Sequence, residues 1–182
     1  DGEIGASMRY LSQRFTAPNR VCMAVLTDVA TEELGHLEMV STIVHQLTAN
    51  LTVEEIENQG FADYYVDHAV GIWPQSAGGI PFNSCEFQSK GDPITDMFES
   101  MAAEQKARST YDNILRVVRD IPEIADPIRF LRAREVVHFQ RFGEALQSLQ
   151  DQLNSKNFYQ MNPSFDTGLT REPCDCQGEC VQ

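Results

Sequence analysis

Two short stretches put metal-binding side chains where a helix should be apolar. In TEELGHLEM, residues 31–39, Glu33 and His36 stand one turn apart, and REVVHFQRF, residues 134–142, repeats the spacing with Glu135 and His138. Successive helical residues advance by about 100°, so residues three or four apart share a face. On that face Glu33 lies among Leu26, Leu37, Val40 and Val44, and Glu135 among Ile128, Leu131, Phe139, Phe142, Leu146 and Leu149. A third carboxylate, Glu104 of AAEQKAR, shares a seam with Met97, Met101, Tyr111, Leu115 and Val118. Glu3 is a fourth, on the face of Ala6, Ser7 and Tyr10. Carboxylates buried together without partners cost many kcal/mol, and their mutual repulsion forces some to keep a proton. A pair of divalent cations removes the conflict. Four carboxylates and two neutral imidazoles balance two such ions, and this donor set suits manganese or iron, whereas structural zinc sites favour thiolates. A single Glu-x-x-His on a helix more often faces solvent; the doubling, with lone glutamates on two further seams, is what points to a dinuclear centre. His45 follows Thr42 rather than a carboxylate, and His68 falls in a loop, so both read as structural or surface residues.

Four helices must position these groups. The pattern predicts helix 1 from Glu3 to about Phe15, ended by Ala17-Pro18-Asn19. Helix 2 runs from an Asn19 cap to about Ala49, with Leu26, Val29, Leu37, Val40, Val44 and Leu47 at spacings of three and four. Asp92-Pro93, a capping aspartate before a proline whose missing N–H is no loss at the first helical position, opens helix 3, to about Arg119. The same device at Asp126-Pro127 opens helix 4, to about Asn154. Residues 50–92 form a long crossover: a short helix over Thr52–Asn58, where Thr52 and Glu55 make a capping box, and then the aperiodic YYVDHAVGIWPQSAGGIPF. Two helix pairs joined by one long connection predict an all-α, ferritin-like four-helix bundle over residues 1–154. Known centres in that fold take one Glu from each of two helices and Glu-x-x-His from each of the other two. An irregular, extended C-terminal tail follows over 155–182. Helical pattern within two residues of Asp1 predicts that the N-terminal part of helix 1 is missing from the sequence.

Composition narrows the partners. At 182 residues the chain suits one domain, burying roughly 70% of its unfolded surface. Its 14 Lys plus Arg against 27 Asp plus Glu leave a formal charge of −13, which opposes nucleic acid and anionic membranes as partners. No run of about 18 apolar residues suggests a bilayer span, and no charged-then-apolar leader suggests export. Of five cysteines, Cys22 and Cys85 lie in the body, while Cys174, Cys176 and Cys180 crowd the tail in CDCQGEC. An odd number so clustered is not a secreted disulfide framework, and the tail thiols read as free.

At these residues the chain resembles the manganese catalase family, in particular its short, spore-coat-associated members. The matching segments are GASMRYLSQRF, TEELGHLEMV, YYVDHAVGIWPQ, AAEQKAR, REVVHFQRFGEAL and FYQMNPSFD. The resemblance implies a non-haem catalase with two manganese ions that disproportionates hydrogen peroxide to water and dioxygen. It implies Glu3, Glu33, His36, Glu104 and His138 as ligands, with Glu33 bridging the metals. Glu135 is then an acid-base group beside them, and Tyr10 touches the ligand set from outside. It further implies a homo-oligomer, a hexamer, located in the cytoplasm or the spore coat, with spore-coat proteins as partners. Two other readings use the same residues. Two iron ions would make a di-iron oxidase or ferroxidase, with Glu135 recruited as a ligand. A spore-coat structural protein would assemble through its tail and aromatic loop and keep only a residual dimetal site. Family chains normally carry residues ahead of the first ligand, whereas here that ligand is the third residue.

Overall fold

The computed structural model describes residues 2–62, 80 and 82–155, and no strand occurs among them. The aromatic loop with His68, and the tail with Cys174, Cys176 and Cys180, lie outside the described residues. Helix α1 (Gly2–Gln13) passes through a 3-10 turn (Arg14–Thr16) into α2 (Arg20–Thr48). Asn19 begins α2 as expected: its side-chain oxygen accepts from the Cys22 N–H at 2.9 Å, one of the first-turn donors that have no partner within the helix. In the crossover, α3 (Val53–Asn58) carries the expected capping box. The Thr52 hydroxyl accepts the Glu55 N–H at 3.2 Å, and the Glu55 carboxylate accepts the Thr52 N–H at 2.8 Å. A second 3-10 turn (Ser84–Phe87) is tied to α1 where Arg9 donates to the Glu86 carbonyl at 3.1 Å.

Helix α4 (Pro93–Val118) opens on Asp92, which accepts the Thr95 N–H at 2.8 Å. Gly91 enters this cap at φ 76°, a left-handed conformation that glycine adopts without strain. The buried Asp96 then accepts the N–H groups of Lys90 and Gly91 at 2.7 and 3.0 Å, locking the first turn.

Helix α5 (Pro122–Ser155) corrects one expectation: it starts at Pro122, and Pro127 lies inside it. The Ile121 carbonyl accepts the Ala125 N–H at 2.8 Å, and the buried stripe already includes Ala125 and Ile128. Pro127 forfeits only the bond to the Glu123 carbonyl, near the helix start, and the upstream packing outweighs it. A second correction concerns α2, whose last turn buries Thr48. Leu47, counted in the stripe, points outward and is 57% exposed.

The result is two helical hairpins, α1–α2 and α4–α5, joined by one long crossover: the ferritin-like bundle. On every long helix the polar intrusions separate two apolar clusters. One contains Tyr10, Leu26, Val29, Met97, Phe142 and Leu149. The other centres on Tyr111, Ile128 and Leu131, with Val40, Ile43 and Ile114 partly buried against it. Among the described residues no helix is long and apolar enough to cross a membrane.

Candidate metal centre

Each long helix delivers its intrusion to one buried point. Glu33 and His36 from α2, Glu104 from α4, and Glu135 and His138 from α5 are all 2% exposed or less. Ligand atoms of Glu33, His36, Glu135 and His138 lie within 4.8 Å of one another. The imidazoles stack with ring centroids 5.4 Å apart and planes 18° from parallel. Glu33 sits between them: one oxygen is 2.7 Å from His36 Nδ1, the other 2.8 Å from His138 Nδ1. Glu104 Oε2 stands 3.4 Å from His138 Nδ1, and Glu135 Oε1 stands 3.7 Å from His36 Nδ1. Glu3, from the first turn of α1, meets Glu33 across the same space.

These close approaches are not hydrogen bonds. Both oxygens of Glu33, Oε2 of Glu104, Oε1 of Glu135 and all four ring nitrogens are buried without a hydrogen-bond partner. Buried polar atoms are rarely left so. Carboxylate oxygens and imidazole nitrogens that converge without aligned protons between them are a donor set for cations. The residues present therefore fit a metal pair.

The charge state of the metal-free cluster shows the same tension. Burial pushes Glu135 up to about 11, with the charges of Glu104 and Glu33 adding to it. Burial, and then the charge of Glu33, push Glu3 up to about 9. Burial also acts to raise Glu33, but the close imidazoles of His138 and His36 outweigh it and hold that carboxyl down at about 2. Burial depresses His138, yet the close carboxylates of Glu104 and Glu33 carry it up to about 10. Glu33 stays ionised, while Glu3, Glu135 and His138 hold protons that cations would displace.

Around this set lie residues of two kinds. Tyr10, fully buried, donates its hydroxyl to Glu104 Oε1. Burial, and then the Glu104 charge, raise its own ionisation well above the ordinary range, so it stays a donor. Tyr111, read in the sequence only as part of the α4 seam, donates to Glu3 Oε1. Glu32 and Arg134 were missed altogether. Arg134 grips Glu32 with Nε and Nη2, the latter at 3.0 Å. Glu32 in turn faces the outer nitrogens, 3.2 Å from His138 Nε2 and 3.7 Å from His36 Nε2. The available signal was adjacency, since Glu32 precedes Glu33 and Arg134 precedes Glu135. His45 is exposed, as expected of a surface residue.

On the carboxylate side a cavity of about 730 Å³ reaches Glu3, Glu104 and Glu135, passing Val40 and Ala107 along its walls. On the imidazole side, Glu32 and Arg134 stand between the rings and solvent, their side chains 29% and 27% exposed.

Known proteins resemble this chain along most of its length. A family profile described as "Manganese containing catalase" matches residues 1–163. Protein CotJC of Bacillus subtilis (strain 168) is 44% identical over 159 residues, 87% of this chain and 83% of that protein. A probable manganese catalase of Clostridium acetobutylicum is 29% identical over 158 residues, 87% of this chain and 70% of its own. The crystal structure of KatB, a manganese catalase from Anabaena, aligns with a TM-score of 0.72 at 28% identity, covering 81% of this chain and 66% of that one.

Proposed function

We propose, from the premise that this chain belongs to the manganese catalase family, that its buried cluster holds two manganese ions and disproportionates hydrogen peroxide. The observation that carries the reading is Glu33. Its two oxygens lie 2.7 and 2.8 Å from inner nitrogens of histidines on different helices, and none of these atoms has a hydrogen-bond partner. Glu33 would be shared between the two ions, and His36 and His138 would each hold one of them. Glu3 and Glu104 complete the ligand set, each held by a tyrosine hydroxyl that fixes where the remaining oxygen points.

A bound manganese pair supplies the reversible two-electron chemistry by which one peroxide is reduced to water and another oxidised to dioxygen. The chain's own part is proton handling and exclusion. Two peroxides become two waters and one dioxygen, so the protons leaving the oxidised molecule must reach the reduced one. Glu135, which already holds a proton in the metal-free cluster, accepts and returns them. The cavity that ends at Glu3, Glu104 and Glu135 gives peroxide a route to the cluster.

The test pairs metal analysis with an oxygen electrode. Two manganese ions per chain and steady dioxygen release from peroxide are expected. Glu135→Gln should keep the metal and lose about 10²- to 10⁴-fold in dioxygen release; near-complete retention of turnover removes Glu135 from the mechanism.

A second reading has its own observation. Glu135 belongs to the tightest group of potential ligand atoms, with Glu33, His36 and His138, as it would in a di-iron oxidase or ferroxidase. Iron occupancy without peroxide disproportionation favours that reading. Coat association and a hexameric assembly extend the family resemblance. Removal of residues 169–182 should impair coat assembly, while disruption of Glu104 leaves it intact.

A further inference from the structure

We infer that Glu32, gripped by Arg134, is a positioning residue for the metal centre: it stands behind both imidazoles as the acceptor their outer N–H groups need once their inner nitrogens turn to metal. The inference rests on the metal-centre reading above and concerns residues that no ligand assignment includes. A metal-binding imidazole must present a lone pair inward, so in its neutral form it carries its proton on the other nitrogen and needs an acceptor there. Both rings are buried, 2% and 0% exposed, which keeps water from that role. Glu32 Oε2 lies 3.2 Å from His138 Nε2, and Glu32 Oε1 lies 3.7 Å from His36 Nε2. One carboxylate from α2 thus faces both rings from behind.

Arg134 makes Glu32 suitable for the task. A guanidinium cannot lose its charge and meets a carboxylate with two parallel N–H donors. It therefore keeps Glu32 ionised and able only to accept, and it sets the carboxylate plane from across the α2–α5 interface. The unequal distances make a directional statement: His138 Nε2 lies within hydrogen-bond reach of Glu32, and His36 Nε2 lies beyond it. A partly exposed ion pair that served stability alone would contribute little and leave the metals untouched.

The experiment measures manganese affinity by chelator competition, together with the electron paramagnetic resonance spectrum of the manganese-loaded protein, for wild type, Glu32→Gln, Glu32→Ala and Arg134→Ala. Glu32→Ala should lose about 10- to 100-fold in affinity and change the spectrum, with Glu32→Gln and Arg134→Ala losing less. Adding Arg134→Ala to Glu32→Ala should cost nothing further, because Arg134 acts through Glu32. Thermal melting of the metal-free variants should stay close to wild type, showing that they fold. Wild-type affinity and an unchanged spectrum in folded Glu32→Ala overturn the inference and leave the metal centre standing. A wild-type protein that takes up no manganese overturns both.

Discussion

Among the described residues, the two ends of the bundle are packed unequally on either side of the Glu/His cluster. Toward the α1–α2 turn, Tyr10, Val29, Ala30 and Phe142 are completely buried, and Tyr10 meets Phe142 edge to face with ring centroids 4.8 Å apart. At the other end the described buried cluster is Tyr111, Ile128 and Leu131, with Ala125 buried near them on α5, while Val40, Ile43, Ile114 and Leu115 are partly buried. The difference follows from helix length. Helix α1 has 12 residues and α2 has 29, about 18 Å against about 44 Å, so α1 lines only one end of α2. The Glu/His cluster sits at the boundary, beside the cavity. One end supplies rigidity, and the other supplies the approach to the carboxylates.

The largest effect expected of this asymmetry is at Phe142. Truncation to Ala should destabilise the metal-free protein by about 3–5 kcal/mol, measured by urea unfolding. It removes a fully buried ring against Tyr10 and so loosens the hydroxyl that holds Glu104. A loss below about 1 kcal/mol would mean that this end is not the rigid one.

Protons on the cluster should give the next effect. Glu3 and Glu135 have folded values raised from 4.5 to about 9 and about 11. Above the ordinary carboxyl range the unfolded chain therefore releases protons that the folded chain keeps, and stability falls as pH rises. His138, raised from 6.5 to about 10, acts in the same direction: its contribution is complete below the unfolded value and disappears as pH climbs through the folded one. Glu33, held down at about 2, contributes above the ordinary carboxyl value and loses its contribution only in acid. The melting temperature of metal-free protein should thus fall between about pH 5 and about pH 9, by about 2–4 °C for each kcal/mol lost. Manganese should flatten or reverse that slope, because ligands bind as carboxylates and neutral imidazoles and metal affinity rises as they lose protons. Identical slopes with and without manganese would separate the titrating groups from the metal centre.

The helical bundle and the convergence of six side chains were legible because each intrusion interrupts a stripe of known period. Glu33 among Leu26, Val40 and Val44 is conspicuous from spacing alone. Glu32 and Arg134 were not, because each sits at the edge of its helix's buried face, where a charged residue is ordinary. Their role exists only once α2 and α5 approach. Tyr111 was visible as a buried seam residue, but its partner Glu3 lies 108 positions away in the chain, beyond any periodic signal. At Asp126-Pro127 the local rule for helix starts was sound and lost to packing: Ala125 and Ile128 bury a stripe that begins before the proline.

The finest comparison uses one residue type on one helix. Val29 and Val40 both belong to α2; Val29 is 0% exposed, while Val40 is only partly buried and lines the cavity. Val→Ala removes the same two methyl groups at each. At Val29 the lost burial is complete and the surrounding side chains leave a void, so about 2–3 kcal/mol should be lost. At Val40 part of that surface already faces the cavity, no closed void forms, and the loss should stay below about 1 kcal/mol. Urea unfolding of the two metal-free variants measures the difference directly. Equal losses would mean that Val40 is covered in solution as thoroughly as Val29, and the open end of the bundle would then be closed by something packed along the wall of the cavity.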